Sequence, residues 1–317
     1  MKIKDFTVII PCISISDVRN CIRQIRKHYK NIKIIVSLNK KFKKSLRDKN
    51  IKLVFSNFKA IGKKRNLAVD NCKTKYLAFI DSDAYPAARW IESSFKLLNK
   101  KQIGVIAGPH IDPIKQNFFQ TIIGLVKRSF LITMLPNHQK KISKKAGFVK
   151  FMPSANWILS KKLFNSLNQM DETMLRNEDW DFVYKMERLK KRVFYNPKML
   201  VYHDNSTIRY FIKKRYVYGF YMWPILTKLN LQNFYFFIPL FFTFFLLSFP
   251  LVFYITNYDL FYFSILLTYL LVVIIESIRV SKNFINFIFI LPVLLASNIS
   301  PGFGIFFGFF NFLRNKV

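Results

Sequence analysis

Three groups of side chains have the types and spacing needed for chemistry. Asp81-Ser82-Asp83 puts two carboxylates one residue apart at the end of the apolar run Tyr76-Leu77-Ala78-Phe79-Ile80. Hard divalent cations such as Mg2+ and Mn2+ prefer carboxylate and phosphate oxygen, so this pair suits an ion shared with a diphosphate. In a turn, Asp81 would equally cap the segment that follows. Glu178-Asp179, within Asn177-Glu178-Asp179-Trp180-Asp181, is a second acidic pair. A carboxylate there can act as a general base, and an acidic first helical turn is also favoured by the helix dipole. His203 closes Val201-Tyr202-His203 and precedes Asp204. A neutral imidazole there can complete a metal site or serve structurally.

These groups need elements to hold them. Phe6-Thr7-Val8-Ile9-Ile10 is a β-branched run stopped by Pro11, and it predicts a buried strand. Ser16 or Asp17 can cap a helix reaching to about Tyr29, with Val18, Cys21, Ile22 and Ile25 on one face. Strands follow at 33–37, 52–55 and 76–80, with a helix over 61–71 that opens at Gly62. Further on come a helix over 90–99, a strand around 104–108 and an irregular Lys-rich segment over 113–150, expected to be mobile on the substrate side. Strand character near 148–152, a helix from about Ser160, a helix through Lys190 and strands at 192–195 and 201–203 complete the pattern. Strands alternating with helices imply a mostly parallel α/β sheet, which binds ligands at the carboxyl ends of its strands. Both Asp81 and Asp83 lie at such an end.

The 317-residue chain changes solvent near residue 230. Its net charge of +34, from 51 basic and 17 acidic residues, suits anionic partners such as a membrane surface or a phosphorylated ligand, and also follows from Lys as a default surface residue. No nucleic-acid-binding module is recognisable, so that partner class is not expected. Three cysteines, Cys12, Cys21 and Cys72, form no CxxC pair, which fits a reducing compartment. The N-terminus reads as a strand, with no secretory leader, so the first domain is expected in the cytosol. Residues 234–256 and 260–277 are each long enough to span a bilayer. A third apolar stretch, 284–313, is broken by Pro292 and Pro301 into one kinked span or two shorter segments. Arg279 and Lys282 put the loop between the second and third stretches on the cytosolic side. Before these, 208–223 mixes basic and aromatic residues as an interfacial helix does.

Together the motifs resemble glycosyltransferase family 2. Phe6-Thr7-Val8-Ile9-Ile10-Pro11 is similar to that family's opening strand, and the run from Gly62-Lys63-Lys64-Arg65-Asn66 through Asp81-Ser82-Asp83 to its metal-binding stretch. Asn177-Glu178-Asp179 resembles its acceptor-side motif. Val201-Tyr202-His203, Arg215-Tyr216-Val217-Tyr218-Gly219 and the Gly-rich segment after Ser300 resemble its later landmarks. The resemblance implies a GT-A fold over 1–207, an interfacial segment over 208–230 and a transmembrane region over 231–317 with two to four hydrophobic segments. It implies a multi-pass protein of the cell membrane with a cytosolic catalytic domain. The implied activity is inverting, metal-dependent transfer of a sugar from a nucleotide-diphosphate donor to a lipid-linked or polysaccharide acceptor.

By the same resemblance Asp83, Asp81 and His203 hold Mg2+ or Mn2+, Asp179 is the catalytic base and Glu178 orients the acceptor. Arg65, Asp81, Pro11, Ser37 and Asn39 form the nucleotide-sugar-binding set. One departure stands out: members usually carry an acid after the second strand, where this chain has Ser37-Leu38-Asn39. The alternative is a transferase-like membrane protein that binds nucleotide or a partner subunit without turnover.

Overall fold

The computed structural model describes residues 1–13, 15–39, 48–132, 145–228, 237–255 and 259–314. In chain order the elements are β1 (Phe6–Pro11), α1 (Ile15–His28), β2 (Lys33–Leu38), β3 (Ile51–Phe55), α2 (Ile61–Asp70), β4 (Tyr76–Ile80), β5 (Ala84–Pro86), β6 (Ile103–Ala107) and β7 (His110–Ile111). There follow α3 (Phe118–Val126), β8 (Gly147–Val149), β9 (Asn156–Ser160), α4 (Lys161–Ser166), α5 (Glu178–Arg188), β10 (Arg192–Tyr195) and β11 (Val201–His203). The remainder is helical: α6 (Ile208–Phe220), α7 (Trp223–Lys228), α8 (Ile238–Leu247), α9 (Phe249–Ile255), α10 (Asp259–Val280) and α11 (Phe284–Arg314). The chain forms two compact units, one from residues 1–113 and 138–204, the other from 114–137 and 205–317.

The first unit is built on an eight-stranded sheet of order β3-β2-β1-β4-β9-β6-β10-β8. β1 pairs in parallel with β2 and β4, and β9 runs antiparallel between β4 and β6. Both faces are covered. Val8, Ile10, Val36, Ala78 and Ile80 pack with Val18, Cys21 and Ile25 of α1. Ile9, Ile35, Leu77 and Phe79 pack with Ala68, Val69, Phe164, Phe182 and Met186. Burial on both sides is why these strands read as unbroken apolar runs. A small sheet of order β5-β11-β7 sits beside the end of β4, pairing His203 with Ala84.

Three expectations change. The helix over 90–99 is instead a chain of turns around a short 3-10 segment, Glu92–Ser94. The hydroxyls of Ser93 and Ser94 donate to the carbonyls of Trp90 and Ile91, each at 2.7 Å, and compete with helical bonding. Residues 156–160, not read as a strand, supply the antiparallel β9. The segment 113–150 contains α3, which groups with the second unit, and β8; residues 133–144 lie outside the described residues. So do Ser14 and the capping side chains of Ser16 and Asp17.

In the second unit the stretch 234–256 forms two short helices, α8 and α9, interrupted at Ser248; residues 234–236 and 256 are outside the described residues. Pro250 removes a backbone donor and frees the carbonyl four residues earlier. The Tyr262 hydroxyl donates to Phe245 O at 2.7 Å and approaches Leu246 O at 3.4 Å, satisfying the break. α11 continues through Pro292 and Pro301 as one helix of 31 residues. Pro301 frees the Ser297 carbonyl, which accepts from Arg215 Nε of α6 at 3.2 Å. Glycines let these helices touch: a Cβ on Gly219 would meet the Pro301 carbonyl, and one on Gly304 or Gly308 the Tyr216 or Phe220 carbonyl.

Gly108 gives the first unit a direct stability test. A Cβ there would overlap the Met199 carbonyl, whereas at Gly147 nothing lies within 4 Å. Gly108→Ala should cost about 1–3 kcal/mol by overpacking. The melting temperature of the full chain should then fall by several degrees, and Gly147→Ala should leave it nearly unchanged. Equal melting for both variants would contradict the packing described.

Candidate active site

β4 ends at Ile80 and releases Asp81-Ser82-Asp83 at the carboxyl edge of the sheet, the edge where such sheets bind ligands. Pairing of β11 with β5 brings His203 to the same place. Its Nε2 stands 3.8 Å from Asp81 Oδ2 and 3.5 Å from Asp83 Oδ1. Its Nδ1 lies 3.0 Å from the Asp204 carbonyl, which can only accept, so Nδ1 carries the proton in that bond. In the neutral ring Nε2 then presents its lone pair beside two carboxylates. The Asp204 amide in turn donates to Asp83 O at 2.9 Å, tying the two loops together.

One ligand atom from each of Asp81, Asp83 and His203 lies within 4.8 Å of the others. Two carboxylates and an imidazole match the donors of a divalent ion. One ion bonded at about 2.0–2.2 Å places neighbouring donor atoms about 3–4 Å apart, so the residues fit Mg2+ or Mn2+. The His110 ring stacks on His203 with centroids 6.0 Å apart and limits its rotation.

The second acidic pair opens α5. Asn177 has φ 66°, the left-handed region, and turns the chain sharply into Glu178 and Asp179. Asp179 accepts from Ser154 N at 3.3 Å and Ser154 Oγ at 3.4 Å on one oxygen, and from Trp180 N at 3.0 Å on the other. Loss of solvent and the neighbouring Glu178 charge push its carboxyl up to about 7, against the pull of Arg65 and these N–H groups. The residue as a whole has intermediate surface exposure.

Arg65 of α2 joins the two acidic groups. Its Nη1 donates to Glu178 Oε1 at 2.9 Å and its Nη2 to Asp81 Oδ1 at 3.0 Å. The guanidinium is 2 % exposed, against 6 % for Glu178 and 30 % for Asp81. A buried cation with two carboxylates is compensated, and removing it strands a buried charge. Gly62 makes room for this: a Cβ there would press on Glu178 and Met170 at 3.1–3.3 Å. Asn66 then clasps the loop before α5, exchanging bonds of 2.8 and 3.1 Å with the backbone of Met170.

The sequence-derived residues thus fall into two places. Asp81, Asp83, His203, Arg65, Glu178 and Asp179 converge around Arg65 and the end of β4. Pro11, Ser37 and Asn39 stand at the neighbouring ends of β1 and β2. Pro11 and Ser37 are cross-strand partners, and Ser37 is fully buried with its hydroxyl unpartnered among the described residues. Asn39 accepts from Lys64 and lies 3.4 Å from Phe58 O through Nδ2. Lys64 and Asn66, which enter the sequence motif without a role, and Ser154, which does not enter it, also belong to this neighbourhood. A buried polar run such as Lys64-Arg65-Asn66 on a helix facing a sheet is a usable signal, since such residues are rarely buried without partners.

A sequence model of the family described as Glycosyl transferase family 2 matches residues 7–167, just over half of the chain. Two curated relatives, both named Pre-mycofactocin glycosyltransferase and from Mycobacterium tuberculosis strains CDC 1551 / Oshkosh and ATCC 25618 / H37Rv, are 27 % identical over 165 residues. That similarity covers 49 % of this chain, which spans about a third (32 %) of their length. Among solved structures, S. aureus TarS 1–349 in complex with UDP aligns with a TM-score of 0.44 and 14 % identity, covering 66 % of this chain and 63 % of that one. GalNAc-T7 with UDP, GalNAc and Mn2+ aligns with a TM-score of 0.48 and 13 % identity, covering 68 % and 50 %. On the extent of the family match and its mostly parallel sheet, the chain belongs to glycosyltransferase family 2, with the GT-A fold.

Proposed function

We propose that this chain is an inverting, metal-dependent glycosyltransferase. It would move a sugar from a nucleotide-diphosphate donor to a lipid-linked or growing glycan acceptor at the cytosolic face of a membrane. The observation that carries this reading is the linkage of a three-ligand cation site to a carboxyl raised to about 7, through the single guanidinium of Arg65. A base titrating near working pH combines a useful ionised fraction with strong proton affinity.

In this mechanism Asp81, Asp83 and His203 hold Mg2+ or Mn2+, which when bound stabilises charge on the departing nucleoside diphosphate. Arg65 fixes Asp81 through the bond from its Nη2. Pro11, Ser37 and Asn39 border the nucleotide. Asp179 removes the acceptor hydroxyl's proton as that oxygen attacks the anomeric carbon, and Glu178, held by Arg65, orients the acceptor. One in-line displacement inverts the anomeric centre.

The membrane assignment rests on the second unit. Among the described residues, α10 and α11 contain two stretches long and apolar enough to cross a bilayer, Leu260–Val280 and Phe284–Arg314. At 1.5 Å per residue the 31-residue α11 is about 46 Å long, beyond the roughly 30 Å of a hydrocarbon core. Leu260, Phe261, Ile275, Ile278 and Phe284 are each at least 60 % exposed, a surface suited to lipid rather than water. Arg279 and Lys282 favour a cytosolic connection between the two helices.

The decisive assay offers the purified chain a panel of nucleotide sugars and measures nucleoside diphosphate release. Release should require Mg2+ or Mn2+, and full turnover in EDTA would refute the metal role. Asp179→Asn should lower kcat by about 100-fold or more. Full turnover by Asp179→Asn or Asp83→Ala would sink the mechanism.

The pH dependence has a definite sign. Only ionised Asp179 accepts a proton, so kcat/KM should rise through about pH 7 and level off above it. Arg65 holds that carboxyl down, so Arg65→Gln should shift the acid limb to higher pH. A limb that stays in place or moves down would contradict the coupling.

Stability runs the other way. A carboxyl raised in the folded state stabilises fully below its unfolded value near 4, and that contribution is lost as pH rises through about 7. Asp179→Asn should therefore raise the melting temperature at pH 8 more than at pH 5, and the reverse order would contradict the assignment.

A further inference from the structure

Lys64 is the remaining buried charge near the strand ends. Its residue is 3 % exposed, and its ammonium donates to Cys12 O at 3.0 Å and to Asn39 Oδ1. An ammonium has three N–H donors, and the third finds no acceptor among the described residues. No carboxylate pairs with Lys64 among them either, and from Leu38 to Arg47 the sequence contains no Asp or Glu to supply one. Burial, with Arg176 nearby, pulls this ammonium below lysine's usual value, the mark of a cation short of compensation. Buried cations without a partner are costly, so an electron-rich ligand atom is the natural occupant.

The sheet indicates which part of a ligand that is. Cys12 follows β1 and Asn39 follows β2, while Asp81 follows β4, the other neighbour of β1. Adjacent strands are about 4.8 Å apart, so Lys64 works one to two strands away from the cation-binding carboxylates. A ribose and base bridge that separation when the diphosphate lies at Asp81 and Asp83. Two acceptors at this rim among the described residues, Cys12 O and Asn39 Oδ1, each already accept from Lys64.

We propose that Lys64, braced by Asn39 and the Cys12 carbonyl, donates to an acceptor atom of the nucleotide's base, so that this chain reads a base carbonyl edge and not a ring N–H. The proposal rests on the nucleotide-diphosphate donor reading above. Its consequence is that methylating the ring nitrogen leaves binding largely intact.

The test is calorimetry of the full chain in detergent with Mn2+, titrated with UDP, GDP, N3-methyl-UDP, N1-methyl-GDP and pyrophosphate. Each methylated nucleotide should bind within about 3-fold of its parent, and Lys64→Met should weaken the nucleotides by about 10-fold while sparing pyrophosphate. Asn39→Asp introduces an acceptor for a ring N–H and should create a methylation penalty of about 10-fold that the wild type lacks. A role confined to holding the strand ends would not create that preference. A wild-type loss of about 10-fold on methylation, no new penalty in Asn39→Asp, or equal weakening of pyrophosphate by Lys64→Met would overturn the proposal. Failure of both parent nucleotides to bind would instead overturn the donor reading, and this inference with it.

Discussion

Arg65 lies almost wholly out of water between Asp81, at the end of β4, and Glu178, at the start of α5. Desolvating one guanidinium is expensive, and two carboxylates at 2.9 and 3.0 Å are what make that burial tolerable. Breaking such an arrangement by removing one partner typically costs about 3–5 kcal/mol, comparable to a large share of a domain's net stability. The arrangement therefore sets where β4, α2 and α5 stand relative to one another. Gly62, Asn66 and the left-handed Asn177 all serve that closeness. Asp81 gives one oxygen to Arg65 and turns the other toward His203, so the proposed cation site and the acidic helix start share one electrostatic frame.

Much of this frame was legible in the sequence because its parts are local. A β-branched run stopped by Pro11 and an apolar run leading into Asp81 marked strands, and the sheet follows from their alternation with helices. Asp81-Ser82-Asp83 and Glu178-Asp179 stood out as acidic pairs at element boundaries. What stayed hidden depends on contacts between distant residues. The antiparallel insertion of β9 rests on pairing Asn156–Ser160 with strands far away in sequence. His203 was named as a ligand with the aspartates, but the three-residue pairing with β5 that carries it to them leaves no signal in the sequence. Lys64 resembled one more surface lysine in a chain with 51 basic residues, and only its burial distinguishes it. The helix expected over 90–99 failed because serine hydroxyls compete for carbonyls, an effect apolar periodicity does not register.

The second unit answers a different constraint. Proline inside an apolar helix frees a carbonyl, and in a low-dielectric setting that carbonyl needs a donor. Tyr262 serves the break before Pro250, and Arg215 the one before Pro301. Glycines at 219, 304 and 308 permit the backbone contact between α6 and α11 that aligns Arg215. The basic and aromatic character of α6 therefore has a packing role within this unit alongside the interfacial one its composition suggests.

The central claim is a single displacement at the anomeric carbon, driven by Asp179 as base. The anomeric configuration of the new glycosidic bond, read by proton NMR coupling constants in the first product, is the measurement to make. A single displacement leaves a configuration opposite to that of the donor sugar. Retention would contradict a single displacement, because two successive displacements require an enzyme nucleophile, whereas Asp179 is assigned here as the base.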